Sequence, residues 1–343
     1  MKEIALNARV MAEPIRGIQR YLLELMPYLG HVVEPIAPEG FWIRGKRSLL
    51  WEQMVLPKLA KGRLLWSPSN DGPINYERQV VTVHDLIPLE APSPEVHGLG
   101  LRFWLRYRLV LPKVVRKARA VIADSHFTKQ RLVELLNVDP EKIHVVHLGV
   151  SGRFRPHSRE ELASLTLEFG LAPQTYYLVV GATEKRKNLE RLLKAWQIAL
   201  ERLPEEVKLA VTGPRELEEQ VPPRVVLLGK VSDEHLPALY AGALCNVHVA
   251  YYEGFGLPPL EAMASGTPVI AGNRTSLPEV VGGAAIQVDP FSVEAIASAL
   301  VEVGDSSTLR EELRQKGFER AREFTWQKTA RETLRVLEQA ARL

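Results

Sequence analysis

Two glutamates eight residues apart, Glu253 and Glu261, lie in the stretch of this chain whose residues are best suited to chemistry. They flank the run Gly-Phe-Gly at 254–256, where glycine lets the backbone approach a ligand without side chains in the way. Pro258 is typical of a first helical turn, and an apolar segment of strand length precedes the pair. The pattern predicts a strand, a glycine turn and a helix whose N-terminus suits an anion such as phosphate.

A basic loop provides the opposite charge. It follows the predicted strand 176–181 and contains Arg186 and Lys187. Cations fixed in advance around a leaving phosphate stabilise the negative charge that develops there. The alternative interpretation is a solvated basic turn. For Glu261 the alternative is an acid that only stabilises the start of its helix.

Further polar residues follow predicted strands in the first half of the chain. His84 and Asp85 end the strand 79–85, and Gly17 lies between the strand 4–10 and a helix that continues to about residue 29. Open α/β sheets bind ligands beyond the carboxyl ends of their strands, so we expect a ligand near these residues as well.

The elements that must position these residues form two successive sets. The predicted strands are 4–10, 63–68, 79–85, 120–125 and 143–150 in the first set, and 176–181, 207–213, 225–229 and 244–250 in the second. Helical patterns separate them. This alternation predicts an α/β fold of two doubly wound Rossmann-like domains that face each other across a cleft. A length of 343 residues also favours two domains.

Composition narrows the class of protein. Apolar residues make up 46% and charged residues 25%, which is typical of a globular protein with a sizeable core. The lone Cys245 excludes an internal disulfide, argues against a thiolate metal site and fits a buried strand. No apolar run is long enough to span a bilayer, and the chain opens on a strand-like run instead of a signal peptide. We therefore expect a cytoplasmic protein.

The stretch 97–120 holds seven Lys/Arg and no acid, and it predicts a helix that is broken or bent near Pro112. Its aromatic residues and positive charge fit contact with anionic lipid or a phosphorylated acceptor. This interpretation predicts a peripheral position at the inner face of the membrane. The alternative is a helix whose charged side is simply solvated.

Taken together, these motifs closely resemble those of the family-4 retaining glycosyltransferases of the GT-B fold, also called group 1. The stretch 253–261 resembles the family's donor-site motif. The resemblance covers nearly the whole chain and includes 17–20, 84–86, 123–125, 145–150, 181–189, 229–233, 276–280 and 324–326. A pair of spaced glutamates alone is a weak signal, whereas this ordered set is specific.

The resemblance implies a role for each side chain. Glu261 is similar to the family residue that binds the ribose hydroxyls, and Glu253 to the one that lies near the transferred sugar and stabilises positive character at its anomeric carbon. Lys187, with Arg186, is expected to bind the diphosphate. His84 resembles a histidine that faces the sugar from the amino-terminal domain.

Main-chain contacts to the donor are implied as well. They fall on Gly17, Val231, Gly254, Phe255, Gly256 and Leu257. The sequence departs from the family pattern at Ala182, where many members have arginine, and at Ala250, where serine is frequent. The loop at Gly17 has one glycine where many members have two.

The resemblance further implies transfer of a hexose, mannose favoured and glucose next, from a GDP- or UDP-linked donor to a hydroxyl of a saccharide or lipid-linked acceptor. The motifs 51–53 and 186–188 favour GDP-mannose. No cofactor, metal ion or nucleic acid is expected. Residues 1–158 would bind the acceptor and 159–322 the donor, and a helix at 323–343 would pack back on the first domain. The alternatives are a nucleotide-sugar epimerase of the same fold and a sugar-binding protein without catalysis.

Overall fold

The computed structural model describes residues 3–12, 17–42, 46–90, 101–217 and 220–343. Residues 97–100 of the basic stretch therefore lie outside the described residues. The chain divides into two compact units. Unit 1 comprises Met1–Gly149 together with Thr325–Leu343, and unit 2 is Val150–Phe324. The sequence-based boundaries, after residues 158 and 322, differ from these by nine and two residues.

Unit 1 is built on a six-stranded parallel sheet with the order β2-β1-β3-β4-β5-β6. Its strands are β1 Ile4–Asn7, β2 Val33–Ile36, β3 Leu64–Ser67, β4 Gln79–Val83, β5 Ala120–Ala123 and β6 Ile143–Val145. Every residue of β1, β3, β4 and β5 is buried. Helices cover both faces of such a sheet, which explains why these strands are almost wholly apolar.

The helices of unit 1 are α1 Gly17–Leu29, α2 Lys46–Met54, α3 Leu56–Ala60, α4 Ile87–Glu90, α5 Leu101–Leu109, α6 Leu111–Lys117, α7 His126–Leu136 and α15 Trp326–Arg342. Short 3-10 turns lie at Arg9–Ala12, Gly40–Trp42 and Pro140–Lys142. The predicted break near Pro112 is present between α5 and α6. A proline in the first turn of α6 lacks the N–H that would continue the preceding helix.

The final helix, α15, packs on α1 and on the strands β3, β4 and β5. The side chain of Thr325 caps its first turn by accepting from the Lys328 N–H. At the other end Arg78 and Arg119 donate to the carbonyls of Ala341 and Ala340, each at 2.9 Å. Cations are favourable at this end because it carries the negative end of the helix dipole.

Unit 2 repeats the architecture with a sheet of order β12-β11-β10-β7-β8-β9, again parallel throughout. Its strands are β7 Tyr176–Val179, β8 Lys208–Thr212, β9 Val225–Gly229, β10 Cys245–His248, β11 Val269–Gly272 and β12 Ile286–Val288. Its helices are α8 Arg159–Phe169, α9 Leu189–Ala199, α10 Leu236–Gly242, α11 Leu257–Ala264, α12 Leu277–Val281, α13 Val293–Asp305 and α14 Ser307–Arg322, with 3-10 turns at Lys185–Lys187 and Gly282–Ala284.

The sequence predicts nine of these strands and misses β2, β11 and β12. β2 is an edge strand that contains Pro35, and β12 is an edge strand of three residues. Neither strand carries the long β-branched run by which a central strand is recognised. In β2 the proline is tolerated because the strand lies at the edge of the sheet. Cys245 is buried in β10 as predicted. Among the helices of the described residues, none is long and apolar enough to cross a membrane.

Candidate functional site

The basic loop and the glycine turn of unit 2 leave neighbouring strands. The basic loop follows β7, and the glycine turn follows β10. Because β7 pairs with β10 on one side and with β8 on the other, the strand order reverses between β7 and β10. A crevice opens at such a switch point beyond the carboxyl ends of the strands, and α/β folds bind ligands there.

Asn188 ties the basic loop to the end of β10. Its backbone is left-handed with φ 63°, a conformation that asparagine tolerates. Its side-chain amide donates to the carbonyl oxygens of Val249 at 3.1 Å and Pro290 at 2.6 Å. In addition, the Tyr251 N–H donates to the Arg186 carbonyl at 3.0 Å. These bonds hold the cations of the loop beside the turn that carries the first glutamate.

The carboxylate of Glu253 pairs with both of those cations. Lys187 Nζ lies 2.7 Å from Oε1, and Arg186 Nη1 lies 2.8 Å from Oε2. A third partner, His248 Nε2, lies 2.9 Å from Oε1. Glu253 is only 8% exposed, so these contacts are made inside the protein. The structure thus brings together three residues that the sequence analysis assigned to one site.

The charges of this cluster determine the protonation states of Glu253 and His248. Burial raises the pKa of Glu253, but Lys187 and Arg186, helped by the hydrogen bond from His248, hold that pKa well below its ordinary value. Burial lowers the pKa of His248, and the neighbouring Lys187 lowers it further. At neutral pH Glu253 is therefore a carboxylate that contacts two cations and a neutral imidazole. The exposed carboxylate of Glu184 also pairs with Arg186, at 2.8 Å, so the two cations are balanced by two carboxylates.

The glycine turn is fixed by its neighbours. Gly256 has φ +119°, and a Cβ at this position would lie 2.8 Å from Leu277 Cδ2, so a side chain is excluded both by the backbone and by contact. The Ser276 hydroxyl oxygen lies 2.9 Å from the carbonyl oxygen of Glu253 and 2.6 Å from that of Phe255, so its one hydrogen can be donated to either. Helix α11 follows immediately, and Pro258 lies in its first turn as predicted. The residue at its N-cap position is Gly256, so no side chain caps the helix there.

The second glutamate, Glu261, has a different environment. It is 5% exposed on α11, and its Oε2 accepts from the Tyr240 hydroxyl at 3.1 Å. Tyr240, on α10, is itself fully buried. The Tyr240 hydroxyl is a neutral donor that helps to fix the direction of this carboxylate. Val231, the residue predicted to contact a base, follows β9 at the edge of the same sheet.

In unit 1 both ring nitrogens of His84 have acceptors as partners. Nδ1 lies 2.7 Å from Asp124 Oδ2, and Nε2 lies 3.0 Å from the Pro68 carbonyl oxygen. Burial lowers the pKa of His84, but the charge and hydrogen bond of Asp124 outweigh it and raise the pKa above its ordinary value. Since both nitrogens face acceptors, the ring is held as an imidazolium. The Tyr21 ring packs edge-on against it, with centroids 5.0 Å apart.

Asp124 contacts the His84 ring directly. The carboxylate of the adjacent Asp85 accepts from the Ile87 N–H at 3.1 Å, at the start of α4, and its charge adds to that of Asp124 in raising the pKa of His84. Asp124 follows β5 and His84 follows β4, and because these strands pair, the two side chains meet at the same edge of the sheet. Gly17 begins α1, and among the described residues no heavy atom lies within 4 Å of where its Cβ would be.

A buried ion cluster lies at the carboxyl ends of β1 and β3, the switch point of this sheet. Arg9 Nε is 2.9 Å from Glu52, and its Nη2 is 2.5 Å from Asp71. Arg106 pairs with Glu52 at 2.8 Å and with Asp71. Burial raises the pKa of Asp71 against the effect of both arginines. Arg106 belongs to the basic stretch, so one of its cations points into the protein rather than to solvent.

Sequence reasoning missed His248, Tyr240 and Asp124 as partners of the predicted residues. His248 lies in an apolar strand pattern and Tyr240 in an apolar helix, and neither carries a local signal of its role. Asp124 does carry one, because it follows a predicted strand in the same way as His84. The remaining predicted roles concern a bound ligand and stay predictions.

Two family models match the chain. The model of glycosyl transferases group 1 matches residues 169–320, and that of glycosyltransferase family 4 matches residues 77–151. The O-antigen chain mannosyltransferase B of Escherichia coli is 34% identical over 277 residues, which cover 76% of this chain and 70% of that protein. The serotype-specific mannosyltransferase WbdA of Escherichia coli is 27% identical over 74% of this chain, and the matched part is 32% of its length.

Solved structures share the fold over nearly the whole chain. The crystal structure of Anabaena Alr3699/HepE in complex with UDP and glucose has a TM-score of 0.75 with 17% identity, and the match covers 98% of this chain and all of that one. The sucrose-phosphate synthase of Thermosynechococcus elongatus also has a TM-score of 0.75, with 18% identity and 99% of each chain covered. The predicted α/β architecture of two doubly wound sheets is confirmed.

Proposed function

Because the chain belongs to the group 1, family-4 glycosyltransferases, we propose that it transfers a mannosyl group from a nucleotide diphosphate donor to a hydroxyl of a saccharide or lipid-linked acceptor. The observation that carries the donor site is the pairing of Lys187 and Arg186 with one buried carboxylate at the switch point of unit 2. Mannose is favoured over glucose because curated relatives are named mannosyltransferases. The motifs at 51–53 and 186–188 favour a GDP-linked donor over a UDP-linked one.

Lys187 and Arg186 would bind the diphosphate. As the bond between the anomeric carbon and the phosphate oxygen breaks, that oxygen keeps the electron pair and gains negative charge. Cations that are already in place stabilise this charge without reorganisation, and such stabilisation is usually the largest contribution to catalysis. We propose that these two side chains do this without a metal ion or another cofactor.

The two glutamates would divide the rest of the donor. Glu253 would face the sugar and stabilise positive character at its anomeric carbon, while Glu261 would accept hydrogen bonds from the ribose hydroxyls. Backbone groups of 254–257 would contact the sugar and phosphate, and Val231 the base. The acceptor oxygen then bonds to the anomeric carbon, and its proton passes to the departing phosphate. With no covalent enzyme intermediate, this front-face route retains the anomeric configuration.

Unit 1 would bind the acceptor. Its His84 is held as an imidazolium by Asp124 and the Pro68 carbonyl, so it would serve as a fixed positive charge and not as a base. The buried arginines of the ion cluster would keep the carboxyl ends of β1 and β3 rigid beside it.

A lipid-linked acceptor would be reached through the surface formed by α2 and α5. Leucines at every fourth position of α5 are exposed, with Leu101 and Leu109 at 59% and Leu105 at 38%. Leu50 and Met54 of α2 are exposed by 53% and 61%. A cavity of about 240 Å³ lies between the two helices. We call these five side chains the leucine surface. Exposed apolar side chains on two helices that border one cavity are typical of interaction sites.

Positive charge lies beside the leucine surface. Arg108, Lys113 and Arg116 line a cavity of about 480 Å³ together with apolar side chains, and none of the described residues that line it is acidic. Apolar side chains flanked by cations are the combination that binds an anionic lipid surface. We propose that unit 1 touches the membrane here, at its cytoplasmic face. Arg106 takes no part, since it pairs inside the protein.

To test this function, the enzyme is mixed with GDP-mannose, UDP-glucose or ADP-glucose in buffer containing EDTA. Each mixture is prepared with and without a lipid-linked saccharide. Transfer should release free GDP and extend the acceptor by one α-linked mannose, with the anomeric configuration read by NMR. A new sugar still attached to the nucleotide would indicate an epimerase. Binding of the nucleotide-sugar without release of nucleotide in every mixture would indicate a binding protein.

A further inference from the structure

The carboxylate of Glu253 contacts three side chains, those of Lys187, Arg186 and His248. In the proposed function, Lys187 and Arg186 also bind the diphosphate. When the diphosphate binds, its oxygens compete with Glu253 for Lys187 and Arg186. His248 then remains as the partner of the carboxylate. Resting on the proposed function, we infer that His248 is a positioning residue that keeps Glu253 ionised and oriented while the two cations bind the diphosphate.

The geometry suits this task. His248 is the last residue of β10, where it is registered with Ala271 of β11, and it is 3% exposed. Its Nε2 lies 2.9 Å from Glu253 Oε1, the oxygen that also accepts from Lys187 Nζ at 2.7 Å. A side chain on a central strand moves less than one on a loop, and Lys187 and Arg186 both lie on a loop. The histidine therefore stays in place when the cations turn toward a ligand.

The neutral state of the His248 ring also suits this positioning role. A carboxylate oxygen can only accept, so Nε2 carries the hydrogen of this contact. Burial and the nearby Lys187 keep the pKa of His248 below its ordinary value, so the ring donates as a neutral imidazole. A neutral donor does not compete with Lys187 and Arg186 for phosphate. It also leaves the full negative charge of Glu253 to face the anomeric carbon.

Without this donor, Glu253 would become a buried carboxylate whose cations are occupied elsewhere. Burial is the factor that raises its pKa, and the cations are the main factors that lower it. Glu253 would then protonate nearer neutral pH in the donor complex and lose the charge used in the transition state. Loss of His248 should therefore reduce turnover more than donor affinity.

The test compares His248→Phe and His248→Gln by measuring kcat and the donor KM between pH 5.5 and 8.5. A hydrogen bond to a charged group is worth about a 10- to 100-fold effect. We expect His248→Phe to lower kcat by about that factor, to change the donor KM about twofold or less, and to move the acidic limb of kcat to higher pH. His248→Gln, whose amide N–H can take the place of Nε2, should restore most of kcat. Cys245→Ala, a buried change on the same strand, is the matched control.

The inference is overturned if His248→Phe keeps the wild-type kcat and acidic limb, or if Phe and Gln cause equal losses with an unmoved pH profile. The second result would assign His248 a packing role only. If His248→Phe does not fold, His248→Asn replaces it, because the shorter amide does not reach Oε1. Absence of transfer by the wild-type enzyme would instead defeat the proposed function, so the two failures are distinguishable.

Discussion

Lys187 Nζ and Glu253 Oε1 form a 2.7 Å ion pair between residues 66 positions apart in the chain. The pair joins the loops after β7 and β10, and Arg186 adds a second cation at 2.8 Å. Two cations thus form ion pairs with one carboxylate at the place where α/β folds bind ligands. Arg186 also pairs with the exposed carboxylate of Glu184, so the two cations are balanced by two carboxylates.

Replacing Lys187 by alanine should slow turnover on the order of 100- to 1,000-fold, because the charge on the leaving phosphate loses one fixed cation. The donor KM should change less. Lys185→Ala is the matched control, since Lys185 is an exposed lysine in the same 3-10 turn. Steady-state kinetics with saturating acceptor measure both variants. Unaltered kinetics for Lys187→Ala would refute the phosphate assignment.

Replacing Glu261 by alanine should raise the donor KM about tenfold or more and leave kcat within a few fold, because two ribose hydroxyls lose their charged acceptor. Tyr240→Phe removes the hydrogen bond to Glu261 Oε2 and should give a smaller effect, about fivefold in KM. Titration calorimetry with the free nucleotide reports both. A fall in kcat with unchanged nucleotide affinity would place Glu261 at the reacting sugar instead.

The stability of unit 1 should fall as pH rises past neutrality. The folded pKa of His84 is above the unfolded value of about 6.5, so the folded state binds more protons in the interval between the two. Its contribution is fully present below about pH 6.5 and is lost as pH rises through the folded pKa. Urea unfolding from pH 6 to 9 should therefore show a smaller decline for His84→Gln than for the wild type. His31→Gln, at an exposed position, should follow the wild type.

Gly149 should not tolerate a side chain. A Cβ there would lie 2.2 Å from the Trp326 nitrogen and 2.5 Å from the Thr325 carbonyl carbon, both backbone atoms at the start of α15. Gly149→Ala should destabilise unit 1 by about 1–3 kcal/mol through overpacking. Gly152→Ala is the control, because a Cβ at that position meets nothing within 4 Å. Equal melting temperatures for the two variants would contradict the close approach of α15.

The double variant Leu101→Ser/Leu109→Ser should weaken binding to vesicles that contain anionic phospholipid by about tenfold, because each leucine loses part of its burial in the lipid. Both side chains are 59% exposed, so folding should be unaffected. Ile198→Ser, an exposed apolar side chain of unit 2, is the matched control. Vesicle flotation measures the binding. Equal flotation of the double variant and the wild type would remove the leucine surface from the proposal.

Local patterns in the sequence were sufficient for nine of the strands, the glycine turn and the charged loop. A strand followed by a glycine turn and a proline encodes its own geometry, so α11 and the position of Glu253 could be predicted. The partners of the site could not. His248 is one polar residue in an apolar strand, and only the register of β10 with its neighbours brings it to Glu253.

The basic stretch shows a second limit. Counting charges could not separate Arg106 from Arg108, two residues apart on α5. Arg106 pairs with Glu52 and Asp71 inside unit 1, while Arg108 lines a cavity with Lys113 and Arg116. Which side of a helix meets the core depends on how that helix packs on the sheet, and the charge pattern alone does not reveal it.

The position of α15 has a consequence for how the chain is made. Unit 1 needs this helix against α1, β3, β4 and β5, yet α15 is synthesised only after the whole of unit 2. During translation, residues 1–149 keep that face of their sheet uncovered until α15 has been synthesised. Residues 150–324 can already fold as a unit before then. We therefore expect the second unit to complete its folding before the first, and a ribosome-bound chain halted near residue 324 to expose the apolar surface that α15 later covers.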